Sequence, residues 1–149
     1  MKFKVLLILF FSFSLQISHA SEDCMSNLSI FAEYYKVKNY DSAYEPWMKV
    51  RQECPKINAA VYSYGKRMLE HFIKNSDGDQ KVAYQNDLIK LYDEWLVNFP
   101  LVKGRNITGE IMSNKAQALL ENKLASKIEI FNTFDMAYST DRASFDDPK

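Results

Sequence analysis

Glycine and proline are scarce, with four of each in 149 residues, roughly half the usual share of a globular chain. That shortage excludes the turn-rich all-β architectures, which depend on such residues at every reversal. A charge excess of either sign is also missing: 19 Lys and Arg stand against 19 Asp and Glu. Lys2 and Lys4 fall in an N-terminal leader, so 17 basic groups face 19 acidic ones beyond it. A nucleic-acid module needs a strong positive surplus to displace phosphate counterions, so no nucleic-acid partner is expected. Histidine and cysteine occur only twice each, as His19, His71, Cys24 and Cys54. The one long apolar run, Val5 to Leu15, is broken by Ser12 and Ser14. It is too short for a bilayer, which takes about 20 apolar residues, and no membrane span is expected.

The leader has the organisation of a secretory signal. Met1-Lys2-Phe3-Lys4 supplies a cationic start, the apolar run follows, and Ser18-His19-Ala20 places small residues at the −3 and −1 positions before Ser21. Residues 1–20 are therefore expected to be removed and the product exported, to a periplasm or the exterior. Cys24 follows Ser21-Glu22-Asp23 rather than apolar and small residues, which argues against lipid attachment. Residues 21–145 are expected to form one helical domain, large enough to bury a useful core, with 146–149 as a tail.

What the sequence does have is helical periodicity almost throughout. Leu28, Phe31, Tyr34, Tyr35 and Lys38 mark a helix over 26–38. Ala43, Trp47, Val50 and Cys54 stripe a second over 42–54, with Asp41 as N-cap, Pro55 as stop and Pro46 distorting its first turn. Ile57, Val61, Tyr64, Met68 and Phe72 predict a third over 57–74. Asn75-Ser76-Asp77-Gly78-Asp79 is a turn cluster. Tyr84, Leu88, Leu91, Trp95 and Phe99 stripe a fourth over 80–98, closed by Pro100, and residues 101–107 form a loop. Met112, Ala116, Leu119 and Leu120 carry a fifth over 108–123. Ile128, Phe131, Phe134 and Tyr138 carry a sixth over 126–139. The expected class is all-α: three antiparallel hairpins, either stacked as an open array or closed into a six-helix bundle.

Motifs for chemistry are few. His71 has Met68 three residues before it, so neither a Glu-x-x-His nor an HExxH metal motif is present. Aligning Gly78 with the invariant glycine of a calcium loop puts Ile73 and Tyr84 at the first and twelfth ligand positions, where neither supplies the required oxygen. Asp93 and Glu94 are adjacent and point to different helix faces. No glycine-rich phosphate loop occurs. No catalytic residue, metal or cofactor is expected. Asn27-Leu28-Ser29 and Asn106-Ile107-Thr108 match glycosylation acceptors.

The first hairpin resembles a tetratricopeptide repeat, a helix–turn–helix unit of 34 residues. With Cys24 at the first repeat position, Ile30 and Tyr34 fall at the family's leucine and tyrosine. Tyr40 falls at its inter-helix aromatic, Ala43 at its small contact residue, Trp47 at its phenylalanine and Pro55 at its terminal proline. Phe31 stands where the family prefers glycine or alanine, which predicts a wider helix crossing. Tyr64-Gly65 resembles the centre of a second unit, and the stretch ending at Asp141 keeps the general form of a third. The resemblance is to exported repeat proteins of Gram-negative bacteria. It implies a short α-solenoid that binds a protein or peptide partner in a groove. By repeat register Met25, Leu28, Ala32, Tyr35 and Lys36 line that groove from the first unit, and Tyr62, Lys66 and Glu70 from the second. Leu28 and Ala32 occupy the positions where a carboxylate-clamping repeat carries Lys and Asn, so that ligand mode is not implied. A secreted bundle binding a small apolar ligand beside Trp47 and Trp95 is the alternative. An enzyme working with two converging carboxylates is a further one. Such arrays end in a helix with a polar outer face. The sixth helix carries none, so further repeats, a covering partner or a ragged tail are the expectations there.

Cys24 and Cys54 flank the first hairpin. Antiparallel packing brings those ends together and predicts a disulfide; the other reading leaves Cys54 reduced in the buried stripe beside Val50.

Overall fold

The computed structural model describes residues 22–142; the expected leader and tail lie outside the described residues. The fold is all-α, with six helices and a single two-residue strand pair among the described residues. No helix there is long and apolar enough to cross a membrane. The chain divides into two compact units, one ending at Ile57 and one beginning at Asn58, within the stretch expected as a single domain.

The first unit is a helical hairpin. Helix α1 covers 22–36 and α2 covers Tyr40–Glu53. Between them Lys38 takes the left-handed conformation, φ 59°. The Asn39 N–H donates to Tyr34 O and the Lys38 N–H to Tyr35 O, both at 3.0 Å. This six-to-one, five-to-two pair closes a helix whose last carbonyls would otherwise lack donors. The N-cap of α2 is Asn39, whose side chain accepts from the Ser42 N–H at 3.3 Å, not the expected Asp41. The cap therefore lies two residues earlier, and Pro46 falls inside the helix, where the sequence placed it. Phe31, Ala43, Trp47 and Val50 are fully buried, and the Arg51 guanidinium lies over the Trp47 ring, 5.1 Å from its centroid. The buried α1 residue is thus Phe31, while Ile30 and Tyr34 are exposed. Cys24 and Cys54 are disulfide-bonded with Cα atoms 6.2 Å apart. That bond ties the start of α1 to the end of α2, as an antiparallel hairpin requires.

The second unit holds α3 (Ala60–Asn75), α4 (Gly78–Asn98), α5 (Thr108–Glu121) and α6 (Lys127–Thr140). Each packs on the next in sequence. Helix α3 starts three residues later than the periodicity predicts, because the Asn58 side chain accepts from the Ala60 N–H at 2.8 Å and holds the entry in a turn. Residues 101–107, expected as loop, contain an antiparallel pair of β1 (Leu101–Val102) and β2 (Arg105–Asn106). Lys103 and Gly104 between them have φ 52° and 79°, the two left-handed residues that a tight two-residue hairpin needs. Helix α5 ends as α1 does. Lys123 has φ 56°, and the Leu124 N–H reaches Leu119 O at 3.0 Å.

Helix α6 turns the opposite way from the expected one. Ile130 and Ala137 are its buried residues, whereas Ile128 and Phe131 are 74% and 68% exposed. The reason lies at Gly109 on α5. A Cβ there would stand 2.6 Å from the Asp141 Cβ and 3.0 Å from the Ala137 carbonyl. The two helices meet through small residues, so the small face of α6 goes inward and its large apolar residues stay outside.

Candidate functional site

In the second unit, three helical stripes enclose a cleft of about 740 Å³. From α3 come Lys66, Glu70, Ile73 and Lys74; from α4, Lys81, Gln85, Leu88 and Tyr92. Both sets follow the three- and four-residue spacing of one helix face. Helix α5 and the turn after it contribute Asn114, Gln117, Ala118, Glu121, Asn122 and Lys123. Helix α4 packs against both α3 and α5, and its Leu88 and Tyr92, 2% and 1% exposed, form the floor.

The walls are held by polar pairing. Lys66 Nζ lies 2.7 Å from Glu70 Oε1. Gln85 Nε2 donates to Asn122 Oδ1 at 2.9 Å, joining α4 to the end of α5. Asn122 Nδ2 donates in turn to the Ala118 carbonyl at 2.8 Å. Gln117 Nε2 donates to Glu121 Oε1 at 2.6 Å. Both cleft carboxylates are therefore engaged. The side chains of Lys74, Lys81 and Lys123 have no ion-pair or hydrogen-bond partner among the described residues.

Tyr92 is the unusual member. Its ring is almost wholly buried, and its hydroxyl, without a protein hydrogen-bond partner among the described residues, is open to the solvent of the cleft. Burial, with the charges of Glu70 and Glu121 added, pushes its pKa well above the ordinary phenol value. The hydroxyl therefore keeps its proton and remains a donor facing the cleft.

Of the groove residues expected from the sequence, Lys66 and Glu70 lie together in this cleft. Tyr62 is fully buried instead, a correction to its expected place on a groove surface. Its ring stacks on Trp95 at 6.1 Å and tilts against Phe99 at 5.8 Å. Its hydroxyl accepts from Asn98 Nδ2 at 2.8 Å, so both ends of the side chain are used within the core. The remaining residues lie on α1 of the first unit. Met25 and Lys36 are exposed there, Leu28, Ala32 and Tyr35 half-buried. Lys36 is paired with Glu33 at 2.7 Å, and the Tyr35 ring lies 5.6 Å from that of Tyr40. Tyr92, Lys74, Lys81 and Lys123 were not legible as site residues, because the α4 stripe drawn through Leu91 and Trp95 bypasses Tyr92. A polar series reading Lys81, Gln85, Leu88, Tyr92 along the neighbouring stripe was the available signal. Among the described residues, no three His, Cys, Asp or Glu side chains gather where they could hold a metal ion.

No protein-family model, no curated protein and no solved structure matches this chain.

Proposed function

We propose that the chain is an exported, non-enzymatic binding protein whose second unit seats a segment of a partner protein in the α3–α4–α5 cleft. The observation that carries this reading is the cleft itself. Its volume of about 740 Å³ falls within the range of specific ligand sites, and three separate helices supply its lining. Rigid helical walls hold side chains in fixed positions, which limits the ordering cost of association. The lining mixes ammonium, carboxylate and amide groups with the apolar surfaces of Ile73, Leu88 and Ala118. Such a mixture suits polypeptide, with its alternating polar and apolar groups, and is a poor match for a small apolar ligand. Export is supported by the leader's composition and by the Cys24–Cys54 disulfide, since such bonds persist in oxidising compartments. Ala43 and Trp47, the small and the aromatic position of the tetratricopeptide-like register, are buried in the first hairpin, which supports a repeat-type scaffold.

The test is selection of random 12-residue peptides on the immobilised protein, counter-selected against Asn114→Trp, which fills the cleft from α5. Peptides that bind the parent chain and lose affinity for the filled variant are the expected result. Failure to enrich any peptide, or enrichment of peptides indifferent to Asn114→Trp, refutes the groove.

A further inference from the structure

We propose that the outward face of α6 docks a second copy of this chain, the two α6 helices lying antiparallel across a two-fold axis at Phe131. Helix α6 contributes no residue to the cleft lining, so this surface is separate from the peptide groove.

The first observation is the apolar stripe that the close packing of α5 on α6 leaves outside. Gly109 draws the small residues of α6 inward, with Ile130 and Ala137 buried. Ile128, Phe131 and Tyr138 are left outward, 74%, 68% and 39% exposed. Steps of three and seven residues keep them on one face, over about 15 Å of helix. The Arg142 guanidinium overlies the Tyr138 ring, 5.5 Å from its centroid. Apolar side chains exposed singly are ordinary, whereas several gathered on one face mark an interaction surface.

The second observation is the charge that flanks the stripe. Lys127 and Asp135 are exposed, and neither side chain has an ion-pair or hydrogen-bond partner among the described residues. Each lies four residues from Phe131, the cation before it and the carboxylate after it, about one helical turn either way. Turning such a helix end for end about Phe131 exchanges the two charged positions. Phe131 then meets Phe131 of the second copy, and Lys127 comes level with Asp135 of the second copy on both sides of the axis. A two-fold interface requires this self-complementarity. A partner of a single charge sign would be repelled at one end of the stripe, and a parallel copy would set lysine beside lysine. The chain carries 19 basic and 19 acidic groups, so two copies approach without net repulsion. One helix face is a small interface, so the dimer forms and dissociates with concentration.

The experiment uses the full chain as recovered after export, in sedimentation velocity over a wide range of concentration. The parent is expected to pass from monomer to dimer as concentration rises. Asp135→Lys sets two cations face to face, and Lys127→Asp sets two anions face to face. Each is expected to weaken association about tenfold, the effect of exposed charges acting at both symmetry-related places. The two substitutions together exchange the charges and are expected to restore the dimer. Phe131→Ser, at the centre of the stripe, is expected to abolish it. Circular dichroism confirms that each variant keeps its helix content. A parent that stays monomeric at every concentration overturns the proposal, since something other than a second copy then covers the stripe. A dimer that withstands either single charge reversal or Phe131→Ser, or that the double exchange fails to restore, overturns it as well.

Discussion

Replacing Gly109 by alanine sets two effects of opposite sign against each other. In an open helix the change is favourable by up to about 1 kcal/mol, since glycine loses more backbone freedom than alanine. Gly109 is the second residue of α5, where that gain is smaller still. Against it stands the approach of α6. The new Cβ would lie 2.6 Å from the Asp141 Cβ and 3.0 Å from the Ala137 carbonyl oxygen. Carbon atoms prefer separations of about 3.5–4.0 Å, so α6 must retreat by roughly 1 Å. Neither obstructing atom is the free end of a flexible chain: one is a Cβ and the other is backbone. Overpacking of this kind costs about 1–3 kcal/mol, and the net effect should be a loss of about 1–2 kcal/mol. For a unit of this size that lowers the melting temperature by roughly 5–10 °C. Thermal unfolding followed by circular dichroism gives the shift, and hydrogen exchange should localise it to α5 and α6. A double-mutant cycle isolates the cause: Asp141→Gly removes the obstructing Cβ and should recover part of the loss. An unchanged or raised melting temperature for Gly109→Ala, or no recovery in the double variant, would refute the close packing of these helices.

Three further outcomes are expected. Cys24→Ser with Cys54→Ser should destabilise the first hairpin by about 3–4 kcal/mol, the chain-entropy value for a separation of 30 residues; increased hydrogen exchange across 22–53 would register it, and unchanged exchange would contradict it. Lys38→Gly should stabilise the same hairpin by about 1 kcal/mol, because φ 59° is costly for lysine and free for glycine, as a denaturant midpoint would report. Stability should also fall as pH rises above about 10, the ordinary tyrosine value. The unfolded chain gives up the Tyr92 proton there while the folded state, with its raised pKa, retains it. Tyr92→Phe should lose that share of the decline, measured by urea titrations on either side of the transition.

The elements that could be read from the sequence are those in which residue size and periodicity agree. The stripe of Ala43, Trp47 and Val50 is the buried face of α2, and the two cysteines lie at the hairpin ends that antiparallel packing joins. Helix boundaries shift wherever a side chain competes with the backbone, as at Asn39 and Asn58. Helix α6 misled for a different reason. Ile128, Phe131 and Tyr138 share a face, and hydrophobicity alone sends it inward. The decisive residue is Gly109, distant in sequence and without a side chain to signal a contact. The short β-pair escaped notice because two residues are too few for any alternation to show; only Gly104 marked it. The cleft was half visible. Lys66 and Glu70 have helical spacing and opposite charge, whereas Tyr92 resembles any core aromatic until the neighbours of its hydroxyl are known.

Lys123 joins two of these features in one residue. Its backbone holds a conformation that glycine would adopt more comfortably, and its side chain lines the same cleft as Tyr92. An engineer seeking a hardier protein would choose Lys123→Gly early, and the helix terminus would benefit. The same exchange would strip the cavity of a cation, so at this position durability and recognition pull in opposite directions.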